Sequence, residues 1–152
     1  MSERIIVGCV GNVLRRDDGF GPALAARLDG LPPQVEVMET GIGGVALLQE
    51  LLAGCDGLIM VDAVDRDAAP GTVFVIEPEV PVAAEHVADV HLANPERVLT
   101  MAKSMDALPE RVVIVGCQPA EVDELESSLS PEVERALELA ARKVEETVRG
   151  WL

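Results

Sequence analysis

Aromatic side chains are almost missing from this 152-residue chain, where Phe20, Phe74 and Trp151 stand without a single tyrosine. The core must therefore be filled by Val, Ile, Leu and Ala, as in parallel sheets covered by helices. Basic residues are also few. Twelve Lys and Arg against 27 Asp and Glu leave a formal net charge of -15, which repels nucleic acid and anionic membrane surfaces and favours a basic partner, a cation or a neutral substrate. Cys9, Cys55 and Cys117 are odd in number and widely spaced, so they form neither a disulfide framework nor a C-x-x-C zinc site and read as small buried apolar residues. No apolar run reaches the ~18 residues of a membrane span, and the chain enters a strand without a signal-peptide pattern, so a cytoplasmic location is expected. With 49% apolar residues, the length suits one domain, residues 1–152.

What is present is an alternation of strand and helix. Residues 4–10 read as the first strand, apolar after Arg4. Phe20, Leu24 and Leu28 recur at helical spacing, with Pro22 tolerated in the first turn and Gly30 as a stop. Residues 35–39 alternate as a second strand, and Gly41-Ile42-Gly43-Gly44 turns into a helix carrying Leu47, Leu48, Leu51 and Leu52. Residues 57–62 are an apolar run closed by Asp62, and Pro70-Gly71 leads into a fourth strand at 72–77. The stretch 78–93 lacks a period, contains His86 and His91, and reads as a long loop. Asn94-Pro95 starts a helix with Val98, Met101, Ala102 and Met105 on its apolar side. A fifth strand at 111–116 precedes Cys117-Gln118-Pro119 and an acidic loop. Ser130-Pro131-Glu132 caps a last helix that buries Val133, Leu137, Ala140, Val144 and Val148, with Glu138–Arg142 and Glu145–Arg149 pairs on its solvated face. This order predicts a three-layer α/β/α fold with a mostly parallel central sheet of about five strands.

In such a sheet the groups following the strands gather at one edge, where open α/β folds place their chemistry. Asp17 and Asp18 follow the first strand, Asp62 ends the third and His91 lies beyond the fourth. Each has a plain structural alternative: an acid before a helix stabilises its N-terminus, and a loop histidine is commonly exposed. Together, two carboxylates and an imidazole form an N/O set suited to a first-row divalent metal, or one that positions water and shuttles its proton.

Gly8-Cys9-Val10-Gly11 lacks the G-x-G-x-x-G spacing of a dinucleotide site, and the acidic pair beside it would repel a pyrophosphate. A phosphoacceptor receiver domain is the stronger rival, since it too has an acidic pair after strand one and an aspartate ending strand three. Against it, the acidic pair here lies well past the strand, and Cys117-Gln118-Pro119 stands where a receiver needs a lysine.

Gly11-Asn12 with Leu14 and Asp17-Asp18-Gly19, Asp62-Ala63, Pro70-Gly71-Thr72, His91 ahead of Val98-Leu99, and Leu129-Ser130-Pro131 resemble, in order and spacing over almost the whole chain, the NiFe-hydrogenase maturation endopeptidases. The resemblance implies an aspartyl-type endopeptidase that clips a C-terminal tail from a hydrogenase large-subunit precursor after nickel has been installed. Nickel then belongs to the substrate protein, and no organic cofactor is required. The family's triad falls on Asp18, Asp62 and His91 as catalytic and metal-reaching groups, with Asp18 at a place that is Glu in many members. Asp17 is the lesser ligand candidate, and His86 is dispensable. Two departures stand out: the first glycine of the family's G-x-G-N turn is replaced or displaced to Gly8, and its D-G-G-T-x-G loop reads Glu39-Thr40-Gly41-Ile42-Gly43-Gly44. The latter retains flexibility while changing the polar groups that bear on which tail is accepted. The wording around Gly8 to Gly21 is most similar to the branch serving archaeal deazaflavin-reducing hydrogenases.

Overall fold

The computed structural model describes residues 3–41, 44–80 and 95–152. His86, His91 and Asn94 of the sequence reading lie outside these residues, as do Ile42 and Gly43. The strands are β1 (Ile5–Val10), β2 (Val35–Gly41), β3 (Gly57–Ala63), β4 (Val73–Ile76) and β5 (Arg111–Cys117). The helices are α1 (Phe20–Ala25), α2 (Val45–Ala53), α3 (Pro95–Ser104) and α4 (Pro131–Trp151), with a 3-10 turn at Arg16–Gly19 leading into α1.

The five strands form one sheet in the order β2-β1-β3-β5-β4. β1 pairs in parallel with both β2 and β3, and β3 with β5. Only β4, at the edge, runs antiparallel, against β5. The chain leaves β1 for one side of the sheet to make β2 and then crosses to the other side to make β3. The strand order therefore reverses between β1 and β3, which opens a crevice at their carboxyl ends.

Alternation along strands buried on both faces builds two cores. Val7, Cys9, Ile59, Val61, Val113 and Val115 face Phe20 and Leu24 of α1 and the apolar side of α4. Ile6, Val10, Leu58, Met60 and Ile114 face Leu47 and Leu51 of α2 and Val98, Leu99 and Ala102 of α3. This places the next even position of β3, Asp62, on the α2/α3 face at the strand's end.

Several expectations are refined. The first helix stops at Ala25, after which Arg27 and Leu28 donate to the carbonyls of Leu24 and Ala25 in tight turns. Leu28 stays buried without being helical. Ser130 sits at the N-cap of α4 but makes no side-chain cap hydrogen bond, because its hydroxyl is used elsewhere. Within α4 an ion pair joins Lys143 to Glu146 at 3.4 Å; neither Glu138–Arg142 nor Glu145–Arg149 pairs among the described residues. Cys9 and Cys117 are buried and Cys55 half-buried, and burial pushes the thiols of Cys9 and Cys117 up to about 12, leaving them unreactive. Among the described residues no helix is long and apolar enough to cross a membrane.

Candidate functional site

The loop after β1 is shaped by three local devices. Gly11 has φ 149° and lies so close to the turn that a Cβ there would stand 2.0 Å from the carbonyl oxygen of Asp18. Asn12 accepts from Leu14 N through its side chain at 2.9 Å and from Arg15 N through its carbonyl at 3.1 Å, closing an Asx-type turn. Gly21 allows α1 to sit directly on the sheet, since a Cβ there would meet the carbonyl oxygens of Val10 at 2.2 Å and Val61 at 2.9 Å. The Gly-Asn and Gly-Phe-Gly elements thus serve one purpose, folding the acidic pair back over the ends of β1 and β3.

The two neighbouring acids have different environments. Asp17 is fully buried. Its carboxylate accepts from Ser130 N at 2.7 Å and Ser130 Oγ at 2.8 Å, and from the backbone N–H groups of Ala120 at 2.8 Å and Glu121 at 2.9 Å. Burial alone would raise its pKa, but these bonds from Ser130, Glu121 and Ala120 together outweigh it and hold Asp17 below the usual carboxylate range. Arg16, between Arg15 and Asp17, adopts φ 48°. Its backbone N–H donates to Glu126 O at 2.8 Å, its Nε to Ser130 Oγ at 3.1 Å and its Nη1 to the Glu126 carboxylate at 2.5 Å. Asp18 remains half-buried, and among the described residues its carboxylate accepts from Asn12 N at 3.0 Å.

Asp62 is 3% exposed. Its Oδ1 accepts only the adjacent Ala63 N–H, at 2.8 Å, among the described residues. Burial first, and then the charge of Asp18, push it well above the usual carboxylate range, against the small opposing effect of that hydrogen bond. The structure therefore brings Asp18 and Asp62 together at the β1/β3 crevice and separates Asp17 from them as an anchor. His91, the third expected member, lies outside the described residues, and among those residues no three ligating side chains cluster. A half-buried carboxylate whose charge bears on a deeply buried one concentrates negative potential at this crevice, which suits it to engage a cation.

Three features were not read from the sequence. Gln118, buried after β5, accepts from Arg66 N at 2.7 Å and Ala68 N at 3.2 Å and donates to Asp65 at 3.0 Å, so it organises the loop behind Asp62. Thr40 occupies a bulge between the Glu39 and Gly41 pairings of β2, and its buried hydroxyl has no hydrogen-bond partner among the described residues. Asp17's bonds to 120–130 had no local signal. The receiver alternative also fails on topology: β5 lies inside β4, and β4 is antiparallel, unlike the doubly wound 2-1-3-4-5 order of that class.

The family model for hydrogenase maturation proteases matches residues 22–147. The chain belongs to the hydrogenase maturation proteases. The matched stretch contains Asp62 and begins after the acidic pair, whereas curated relatives align over nearly the whole chain. A hydrogenase expression/formation protein HupD of Rhodobacter capsulatus is 32% identical over 155 residues, covering 98% of this chain and 73% of that protein. A putative hydrogenase maturation protease of Methanocaldococcus jannaschii is 34% identical over 142 residues, covering 90% of each. Among solved structures, the hydrogenase maturating endopeptidase HybD from E. coli superposes with a TM-score of 0.80 at 29% identity, over 97% of this chain and 93% of that one. The hydrogenase 2 maturation peptidase of a Thaumarchaeota archaeon superposes with a TM-score of 0.73 at 31% identity, covering 96% and 98%. This maturation protease is accordingly an endopeptidase with the α/β fold of its relatives.

Proposed function

We propose that this endopeptidase removes the C-terminal extension of a NiFe-hydrogenase large-subunit precursor once nickel is in place, and that Asp18, Asp62 and His91 form the site that reaches the metal. The observation that carries this reading is the Asp18–Asp62 pair at the strand-order switch, with Asp62 driven upward by burial and by its neighbour. Such a pair is unfavourable alone and becomes favourable when a divalent cation enters between the carboxylates. Nickel held by the substrate supplies that charge, so the precursor that carries it binds better than the one that does not. Differential binding of this kind turns cleavage into a checkpoint. An imidazole from His91 adds a nitrogen donor suited to nickel. The protease acts in the cytoplasm and needs no organic cofactor on this reading.

The test is incubation with the cognate large-subunit precursor prepared with and without nickel, followed by intact mass measurement. Loss of one C-terminal peptide from the nickel-loaded form alone is expected. Asp62→Asn and His91→Ala should abolish or greatly slow it, and Asp18→Glu should retain more activity than Asp18→Ala because it keeps the carboxylate. Equal cleavage of the nickel-free precursor would remove the metal-sensing role. Failure to cut either form would remove the precursor as substrate.

A further inference from the structure

Beside the two carboxylates, the surface turns apolar in a way that the fold enforces. Val13 is 49% exposed, Leu14 61% and Leu125 84%, in a chain whose net charge is -15. Leu14 and Leu125 are far apart in sequence but are brought together by a parallel bridge between Arg15 and Glu126. Glu126 N donates to Leu14 O at 3.1 Å and Arg16 N to Glu126 O at 2.8 Å. In parallel pairing the residues preceding a bridged pair also lie side by side, with backbones about 5 Å apart. The anchor through Asp17 fixes both flanks of the 120–130 segment, at Ala120, Glu121 and Ser130. Large side chains held out by so many backbone bonds form a prepared patch, whereas apolar residues scattered singly need no such explanation.

The rim of the patch is acidic. Glu121, Asp123, Glu124 and Glu126 flank Leu125 in the chain, four carboxylates against two cations, Arg15 and Arg16, which pair with Asp123 at 2.9 Å, Glu126 at 2.5 Å and Glu124 at 3.8 Å and leave the segment net negative. A second copy of this chain would bring the same negative rim and be repelled. The patch is also continuous with the catalytic loop, because Asp18 N donates to Arg15 O at 3.0 Å, so whatever rests on Leu14 is placed directly against the segment that presents the Asp18 carboxylate.

We infer that Leu14 and Leu125 form a docking platform for the folded body of the large-subunit precursor, which meets it with an apolar patch rimmed by Lys or Arg. This rests on the reading above that the precursor is the substrate. Contact outside the scissile tail lets a protease hold a folded protein in register while the tail enters the crevice. The charged rim steers the encounter, and the apolar centre supplies the contact that excludes water.

The test uses the full-length protein with Leu14→Ser and Leu125→Ser combined, against wild type and the nickel-loaded precursor. Titration calorimetry should show at least a ten-fold weaker Kd for the double variant, and steady-state cleavage at least a ten-fold higher KM with the loss recovered at saturating precursor. Raising the salt concentration should weaken wild-type binding further. Circular dichroism and thermal unfolding of these exposed variants verify the fold, and Leu14→Met with Leu125→Met, which keeps apolar contact, should bind like wild type. Equal affinity of the serine variant and wild type would overturn the platform while leaving the protease reading intact. A wild-type protein that neither binds nor cuts the precursor would overturn both. Sedimentation equilibrium showing a wild-type dimer that the serine variant abolishes would also overturn the proposal, by assigning the patch to a second copy.

Discussion

Asp17 and Asp18 are chemically identical neighbours, yet the 3-10 turn at Arg16–Gly19, with three residues per turn, points their side chains about 120° apart. One enters the protein and the other faces the crevice. Asp17, held below the usual carboxylate range by its partners on Ser130, Glu121 and Ala120, contributes stability that is fully present above the unfolded value of about 3.9 and is lost as pH falls through its folded value. Asp17→Ala leaves buried backbone donors unsatisfied and should cost about 3 kcal/mol at pH 7. Urea midpoints should show that gap at pH 7 and a narrower one near pH 3. Asp62 carries the opposite sign. Its folded pKa lies above the unfolded one, so its effect is a penalty that is absent below about 3.9, grows as pH rises to the folded value and is constant beyond it. Asp62→Asn should therefore raise the thermal midpoint at pH 8, by ~2–4 °C for each kcal/mol relieved, with no gain near pH 3.5, and should lose cleavage. A lower midpoint at pH 8 would show that the carboxyl is structural.

At the scale of elements, close backbone approach decides where the site sits. Gly21 lets α1 lie against the ends of β1 and β3, and a methyl group there would meet the Val10 carbonyl oxygen at 2.2 Å. Because that obstacle is backbone, Gly21→Ala should destabilise by about 3 kcal/mol, the upper part of the overpacking range, and lower cleavage at temperatures where the variant stays folded; an unaltered urea midpoint would refute the close contact. Strands such as Ile5–Val10 and Gly57–Ala63 were legible because both faces are buried and the apolar run is continuous. So was the placing of the segments after β1 and β3 at one edge, since parallel neighbouring strands end on the same side. The direction of β4 was not, because the same half-buried alternation serves a parallel or an antiparallel neighbour. Ser130 looked like a simple helix cap, and only the fold reveals that its hydroxyl serves Asp17 instead, across a sequence separation of 113 residues. Leu28 shows a related limit: the stripe Phe20, Leu24, Leu28 correctly marks burial, but tight turns bury the last residue without a helix.

Across the whole molecule, the two ends of the sheet divide the work. The carboxyl ends hold the acids, while at the amino ends a cavity of about 350 Å³ is lined by Lys103, Arg111 and Trp151 among others. Its cations are occupied: Arg111 sits 5.4 Å over the Trp151 ring, donates to Trp151 O at 2.8 Å and pairs with Glu3 at 3.3 Å. Trp151 also closes against Gly57 at the start of β3, where even a Cβ would lie 2.8 Å from the ring. This end ties the last helix to the first turns of the sheet and presents nothing to a substrate at the opposite edge. Trp151→Ala should then cost about 2 kcal/mol, less than the ~3–5 of a fully buried aromatic because the ring is only partly buried, and should leave kcat/KM for precursor cleavage within two-fold of wild type at a temperature where both are folded. Set beside Asp62→Asn, the pair forms a double dissociation: one substitution loses stability and keeps activity, and the other gains stability at neutral pH and loses activity. Parallel measurement of thermal midpoints and cleavage rates checks it. A large drop in kcat/KM from Trp151→Ala at full folding would mean that the two ends are coupled through β3, and that the amino-terminal end belongs to the catalytic apparatus after all.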